Sequence, residues 1–203
     1  MKGFVSVSTY QPGDQIAKIL IGRPGIAIAF VWGFAEATLF FIIPDVFLSF
    51  VAILDWRRTA SHVFAALIGA LLGGSLMFSW STSDHQRARN AVLNVPFVRQ
   101  RMLSKVDEGL RTQGMTAALL GSVSGVPYKL YAVEGPQFTT IGSFLLWTPL
   151  VRAFRFVIVW MGFGLVSVWL RSRLNWKNYR SFWIHSVIWV ISYVLYWSRV
   201  IAG

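Results

Sequence analysis

Cysteine is absent from the 203 residues. That excludes thiolate nucleophiles and Cys-ligated metals, and it leaves the redox compartment unmarked. Charge is scarce as well. Charged residues make up 13% of the chain, about half the share found in soluble domains. A cytosolic enzyme, a disordered chain and a disulfide-rich secreted scaffold are therefore all poor readings. Histidine is limited to His62, His85 and His185, which are scattered and expected at an interface. No His pair stands at i, i+4 and no carboxylates cluster on one face, so neither a metal site nor a cofactor is expected. Hydrolase chemistry needs a nucleophile beside its base, and Ser122-Val123-Ser124-Gly125 lacks the first Gly of a nucleophile turn. The expectation is a protein that is not an enzyme.

What is abundant is apolar: 55% of the residues are hydrophobic and 16% of the whole chain is aromatic, with mean hydropathy +0.56. The net charge of +11 would suggest nucleic acid in a soluble protein. Here Lys and Arg cluster between apolar runs, so anionic lipid headgroups are the expected partner and nucleic acid is not. The composition predicts an integral membrane protein.

Residues 1–25 are mixed, with Pro12, Gly13, Gly22, Pro24 and Gly25. They lack the basic start, apolar core and small-residue cleavage site of a removable signal and are expected to form an N-terminal interfacial segment. A membrane domain is expected over 26–170. Within it, 26–54 is apolar except for Glu36 and Asp45 and is broken by Pro44, which has no N–H and crowds the preceding turn. This stretch is either one kinked span or two half-length helices folded as a hairpin. Residues 62–80 carry no formal charge and read as a clean span. Residues 84–112 read as a basic interfacial loop. Val95, Val98, Met102, Val106 and Leu110 in that loop recur as a helix on the headgroups would require, and a solvated loop is the equal alternative. A second interrupted segment, about 115–140, contains Gly121, Gly125, Pro127, Lys129, Glu134 and Gly135. A span at 141–170 carries Pro149, Arg152 and Arg155, and a C-terminal transmembrane helix is expected at 182–198. Trp56, Trp80, Trp169, Trp183 and Trp197 sit at segment ends, as interfacial anchors do.

The pattern reads twice. An apolar stretch broken at Pro44 or Pro127 is followed by an ionisable residue and then by a longer span, as an inverted-repeat transporter would show. The first unit carries the acids Glu36 and Asp45. The second carries the bases Lys129, Arg152 and Arg155. Each charge costs about 2.5–3.5 kcal/mol at a helix centre on insertion scales. Irregular backbone at depth also needs protein or a wet cavity around it. Both costs fall if the two breaks meet, with Glu36 and Asp45 facing Lys129 and one or both of Arg152 and Arg155. The fold expected is all-α: a polytopic membrane protein with two re-entrant, broken helical hairpins arranged as an inverted repeat, plus spanning helices. Gly25, Ala29, Gly33 and Ala37 on one helix, with Ala65, Gly69 and Gly73 on another, make small-residue stripes that allow close packing. Lys and Arg divide almost evenly between the two faces of this arrangement, so orientation stays open, as does self-association into a homo-oligomer.

Phe34-Ala35-Glu36 followed by Pro44-Asp45, then Gly125-Val126-Pro127-Tyr128-Lys129 with Gly135 beyond, resembles the paired signatures of the DedA family. That family carries the VTT, or SNARE-associated Golgi protein, domain, and the likeness is to its YqaA-like branch. It covers roughly residues 25–165. It places Glu36 and Asp45 at the family's acidic positions and Lys129 at a basic position often held by Arg. The chain departs from the pattern in having Phe41, Ile42 and Ile43 before a single Pro44, Glu134 where an Ala-Gly pair is common, and Ser122 or Ser124 where a further Arg stands. The resemblance implies a transporter or lipid flippase/scramblase in a bacterial inner (plasma) membrane. Its substrate would be polar or anionic, such as a phospholipid or polyprenyl-phosphate headgroup, and some members suggest proton coupling. The candidate substrate and proton residues are Glu36, Asp45, Lys129, Arg152, Arg155 and Glu134, with hairpin breaks at Pro44, Pro127, Gly125 and Gly135. Two alternatives stand beside this reading: a structural or assembly protein whose buried charges form a folding network, and, less favoured, an intramembrane enzyme.

Overall fold

A computed structural model describes residues 15–174 and 178–202. The first part of the expected N-terminal segment, residues 1–14, and residues 175–177 and 203 lie outside the described residues. Among those described, the chain is all-helical and contains no strand.

Ten α-helices follow in order: α1 Gln15–Ile21, α2 Arg23–Ala37, α3 Asp45–Leu54, α4 Thr59–Ser83, α5 His85–Leu93, α6 Gln100–Gln113, α7 Thr116–Ser124, α8 Tyr128–Glu134, α9 Ile141–Leu174 and α10 Asn178–Ala202. A 3-10 turn, Gly135–Gln137, follows α8. Among the described residues, two helices are long and apolar enough to cross a membrane, Thr59–Ser83 and Ile141–Arg173. A third crossing exists if α1 and α2, bent by 57° at Gly22, count as one. This bend was not among the breaks expected from the sequence. Pro24 sits in the first turn of α2, where a missing N–H costs nothing.

The packing is inside-out relative to a soluble bundle. On α4, Phe64, Ile68, Leu72 and Leu76 face outward, while Ala66, Gly69, Ala70 and Gly73 are buried. Hydrocarbon accepts that outer face. The buried stripe lies against Gly25, Ala29, Gly33 and Ala37 of α2. A Cβ at Gly33 would run into the Ala66 backbone, and one at Gly69 into the Phe30 carbonyl. Glycine at these two positions is what lets the helices approach so closely.

The helices after the two breaks cross over. α2 packs on α4 and α7 on α9, but α3 packs on α9 and α8 packs on α4. The core accordingly has two main parts. One gathers Ala29, Leu48, Val51, Ala66 and Phe156 from α2, α3, α4 and α9. The other gathers Met77, Val92, Leu103, Val106, Leu130 and Phe144 from α4, α5, α6, α8 and α9. α4 and α9 contribute to both, and the ionisable residues lie where the two parts join.

The segment expected to be an interfacial loop is two helices. Leu103, Val106 and Leu110 of α6 are buried in the second core against α7 and α8, so its apolar stripe serves the protein interior and not the headgroups. The basic side chains Arg99, Arg101, Lys105 and Arg111 remain outside.

Candidate functional site

Both breaks end on a proline, and a helix begins at the next residue: α3 at Asp45 after Pro44, α8 at Tyr128 after Pro127. The first break is longer than a kink at Pro44 would make it, extending over residues 38–44. The second is set by Gly125, which ends α7 at φ +82, a left-handed value that glycine adopts without penalty. Gly135 opens the 3-10 turn and packs against Phe78.

Backbone groups freed at the breaks are answered by side chains from distant elements. Lys129 Nζ donates to the Phe40 carbonyl. Trp32 Nε1 donates to the Ile42 carbonyl at 3.0 Å, and the Ile43 N–H donates to the Tyr193 hydroxyl at 3.1 Å. Tyr196 on α10 donates to the Gly125 carbonyl at 2.9 Å. The two breaks therefore touch through Lys129, and α10 holds both. Such groups need partners wherever water is scarce.

The charges sort into specific pairs. Arg152 pairs with Glu36, and Arg155 pairs with Asp45. Glu36, Asp45, Lys129 and Arg152 are each no more than 2% exposed, whereas the Arg155 side chain is 19% exposed. Arg152 is also held between the rings of Tyr128 and Phe156, its guanidinium carbon 4.9 and 4.8 Å from their centroids. The sequence expectation set Lys129 against a carboxylate. Instead its ammonium is spent on backbone, because the arginines of α9 reach both acids first. Three cations thus meet two carboxylates, leaving the cluster with one net positive charge. Asp45 Oδ1 is buried with no hydrogen-bond partner.

These groups border a cavity of about 350 Å³. Glu36, Asp45, Lys129 and Arg155 line its polar part, while Phe41, Phe97, Trp189, Tyr193, Tyr196 and Trp197 supply aromatic wall. No family model, curated protein or solved structure matches the chain. The reading of the site therefore rests on its own geometry.

Glu134, grouped with this site from sequence, is not part of it. Its buried carboxylate faces α5, 3.1 Å from the Arg89 guanidinium and 3.4 Å from His85 Nε2. The reason is helical phase: five residues separate it from Lys129, which is well over one turn. His85 Nδ1 meets Ser81 Oγ at 2.9 Å, and Ser81 donates to the Val133 carbonyl. Burial and the neighbouring Arg89 cation hold the His85 imidazole below its ordinary pKa of 6.5. Arg89 already balances the Glu134 charge, so the carboxylate does little to favour the imidazolium.

His62 and His185 are buried, contrary to their expected interfacial place. His62 Nε2 lies 2.9 Å from the Leu20 carbonyl and so ties α4 to α1. His185 Nε2 lies 2.8 Å from Ser49 Oγ, which also accepts from Trp189 Nε1 at 2.9 Å. Ser49 Oγ also donates to the Asp45 carbonyl at 2.6 Å, and the His185 contact ties α10 to α3. Tyr193 and Tyr196 are not among the site residues expected from the sequence. Their spacing of three residues on an aromatic helix is the one available signal, since it sets both on one face.

Proposed function

We propose that this protein is a membrane transporter or lipid flippase/scramblase of the DedA type that moves a polar or anionic substrate through the cavity between its two breaks. The observation that carries the reading is the surplus cation: Lys129 lines the cavity while the two carboxylates are each paired with an arginine. A lone positive charge at depth is costly, and an entering phosphate offsets that cost. The aromatic wall suits the apolar part of an amphiphile. Charge alone does not separate a phospholipid from a polyprenyl phosphate, and both belong to the proposal.

The crossed packing of α3 on α9 and α8 on α4 supports reading the two units as an inverted repeat. On that reading α2 with α3, and α7 with α8, are re-entrant hairpins. Proton coupling is assigned to Asp45, which lines the cavity and keeps one carboxylate oxygen without a hydrogen-bond partner, and Arg155 is its partner. An anion that draws Arg155 or Lys129 toward itself leaves the carboxylate less compensated and favours its protonation. The location proposed is a bacterial inner membrane, with anionic lipid headgroups against Arg99, Arg101 and Lys105.

The test is reconstitution into vesicles carrying labelled phospholipid or labelled polyprenyl phosphate. Wild-type protein moves one of them, and Lys129→Ala moves neither while remaining inserted. A wild-type protein that moves neither ends the proposal. A second reading applies to one pair: Arg152, enclosed by two rings and bound to Glu36, is a structural clamp.

A further inference from the structure

Two partly exposed aromatic rings stand in the cavity wall, Phe97 from the connection between α5 and α6 and Trp197 from α10. Phe97 and Trp197 stack there with centroids 4.4 Å apart and planes 10° from parallel. Both residues line the cavity. Phe41, from the first break, tilts against Phe97 at 6.4 Å, and Tyr193 against Trp197 at 5.0 Å.

Phe97 is held there against its own backbone preference. The Val98 N–H donates to the Val95 carbonyl at 3.2 Å, closing a four-residue turn with Pro96 second and Phe97 third. Phe97 has φ +68 and is the single non-glycine with positive φ among the described residues. Proline followed by a positive φ is the pattern of a type II turn, whose third position ordinarily calls for glycine. A bulky residue there is an outlier that its surroundings must hold in place. What holds it is the ring contact, because the turn itself would close more easily with glycine.

We infer that Phe97 and Trp197 form an aromatic gate, and that parting the two rings admits ligand to the cavity from the side of α5 and α6. The inference rests on the cavity being a ligand site and adds how that site is closed. α10 is the other half of the device. Tyr193 and Tyr196 bond it to the two breaks, so the helix that carries Trp197 also reports the position of the charged floor. Strain in the turn favours release of Phe97 once the stack is lost.

The test is read without transport. The chain has no cysteine, so Ser122→Cys places a single thiol in the cavity wall. Its rate of modification by a charged, water-soluble thiol reagent is measured on the full chain in vesicles. Phe97→Gly and Trp197→Ala each raise that rate roughly two- to tenfold, the factor set by one lost aromatic pair. The double variant gains nothing beyond the larger single effect, because one contact has been removed in all three. Phe97→Trp keeps a ring in that wall and labels at the parent rate. Phe97→Gly also removes the backbone conflict, so its faster labelling comes without a loss of thermal stability. Unchanged rates in the single variants, additive gains in the double, or fast labelling of Phe97→Trp would overturn the gate. If labelling responds as expected while no lipid moves, the gate stands and the transport reading falls.

Discussion

Arg152, in the first half of α9, pairs with Glu36 at the end of α2 across 116 residues of chain. Each is 2% exposed. Pairs of this kind hold remote elements in register, yet they are no more stable than apolar packing of the same shape. The danger lies in removing one partner.

Arg152→Met is therefore expected to destabilise the protein by about 3–5 kcal/mol, the usual cost of stranding a buried charge. Glu36→Gln together with Arg152→Met should recover a large part of that loss. Thermal unfolding of the two single variants and the double in one detergent checks this. A double variant no more stable than Arg152→Met would show that the pair is not coupled.

Asp45→Asn separates from the first case because its partner has somewhere to go. The Arg155 side chain is 19% exposed and borders the cavity, so water can solvate the guanidinium left behind. The expected outcome is a folded, inserted protein with unfolding temperature close to wild type and with substrate movement lost. Retained movement across pH would remove Asp45 from the proton-coupling role.

Gly33→Leu tests the close approach of α2 and α4. Its side chain would enter the Ala66 backbone, which cannot yield without separating the helices. Overpacking of this kind costs about 1–3 kcal/mol and more where backbone must move. The predicted result is a sharp fall in folded yield. The matching change Phe64→Leu, on the exposed face of α4, should leave yield unaltered.

His85 makes stability depend on pH in one direction. Its folded pKa is below the ordinary 6.5 because of burial and Arg89, so the unfolded chain binds the proton more readily. Its contribution is whole above pH 6.5 and is lost as pH falls through the lowered folded value. Around it stand Glu134, Arg89, Ser81 and Gln137, with Asp107 acting at longer range. Unfolding temperature measured on either side of pH 6.5 should fall toward acid less steeply in His85→Gln than in wild type. Equal slopes would assign the acid sensitivity to other groups.

Legibility from sequence varied with the range of the interaction. Pro44 and Pro127 announce the breaks because a missing N–H acts on the adjacent turn. The charges at depth are equally plain, since Glu36 or Arg152 stands out from apolar neighbours. The small-residue stripe on α2 is visible as a four-residue period, and its partner on α4 is visible in the same way. By contrast, the stripe on α6 reads identically whether lipid or protein covers it, and the structure turned it toward α7 and α8. The bend at Gly22 passed unnoticed because a glycine beside a proline reads as easily as a connection between segments.

The chain's apolar composition, its helical class and the places where helices must stop were all decided by the sequence acting locally, through transfer free energy and backbone sterics. Which acid meets which base was not. Lys129 bonds to the Phe40 carbonyl, Arg155 takes Asp45, Glu134 turns away to Arg89, and Phe97 stacks on Trp197, because the packing of the helices brings distant segments within a few ångströms. Hydropathy is a property of each residue, while a contact between remote groups exists only after the whole chain has packed.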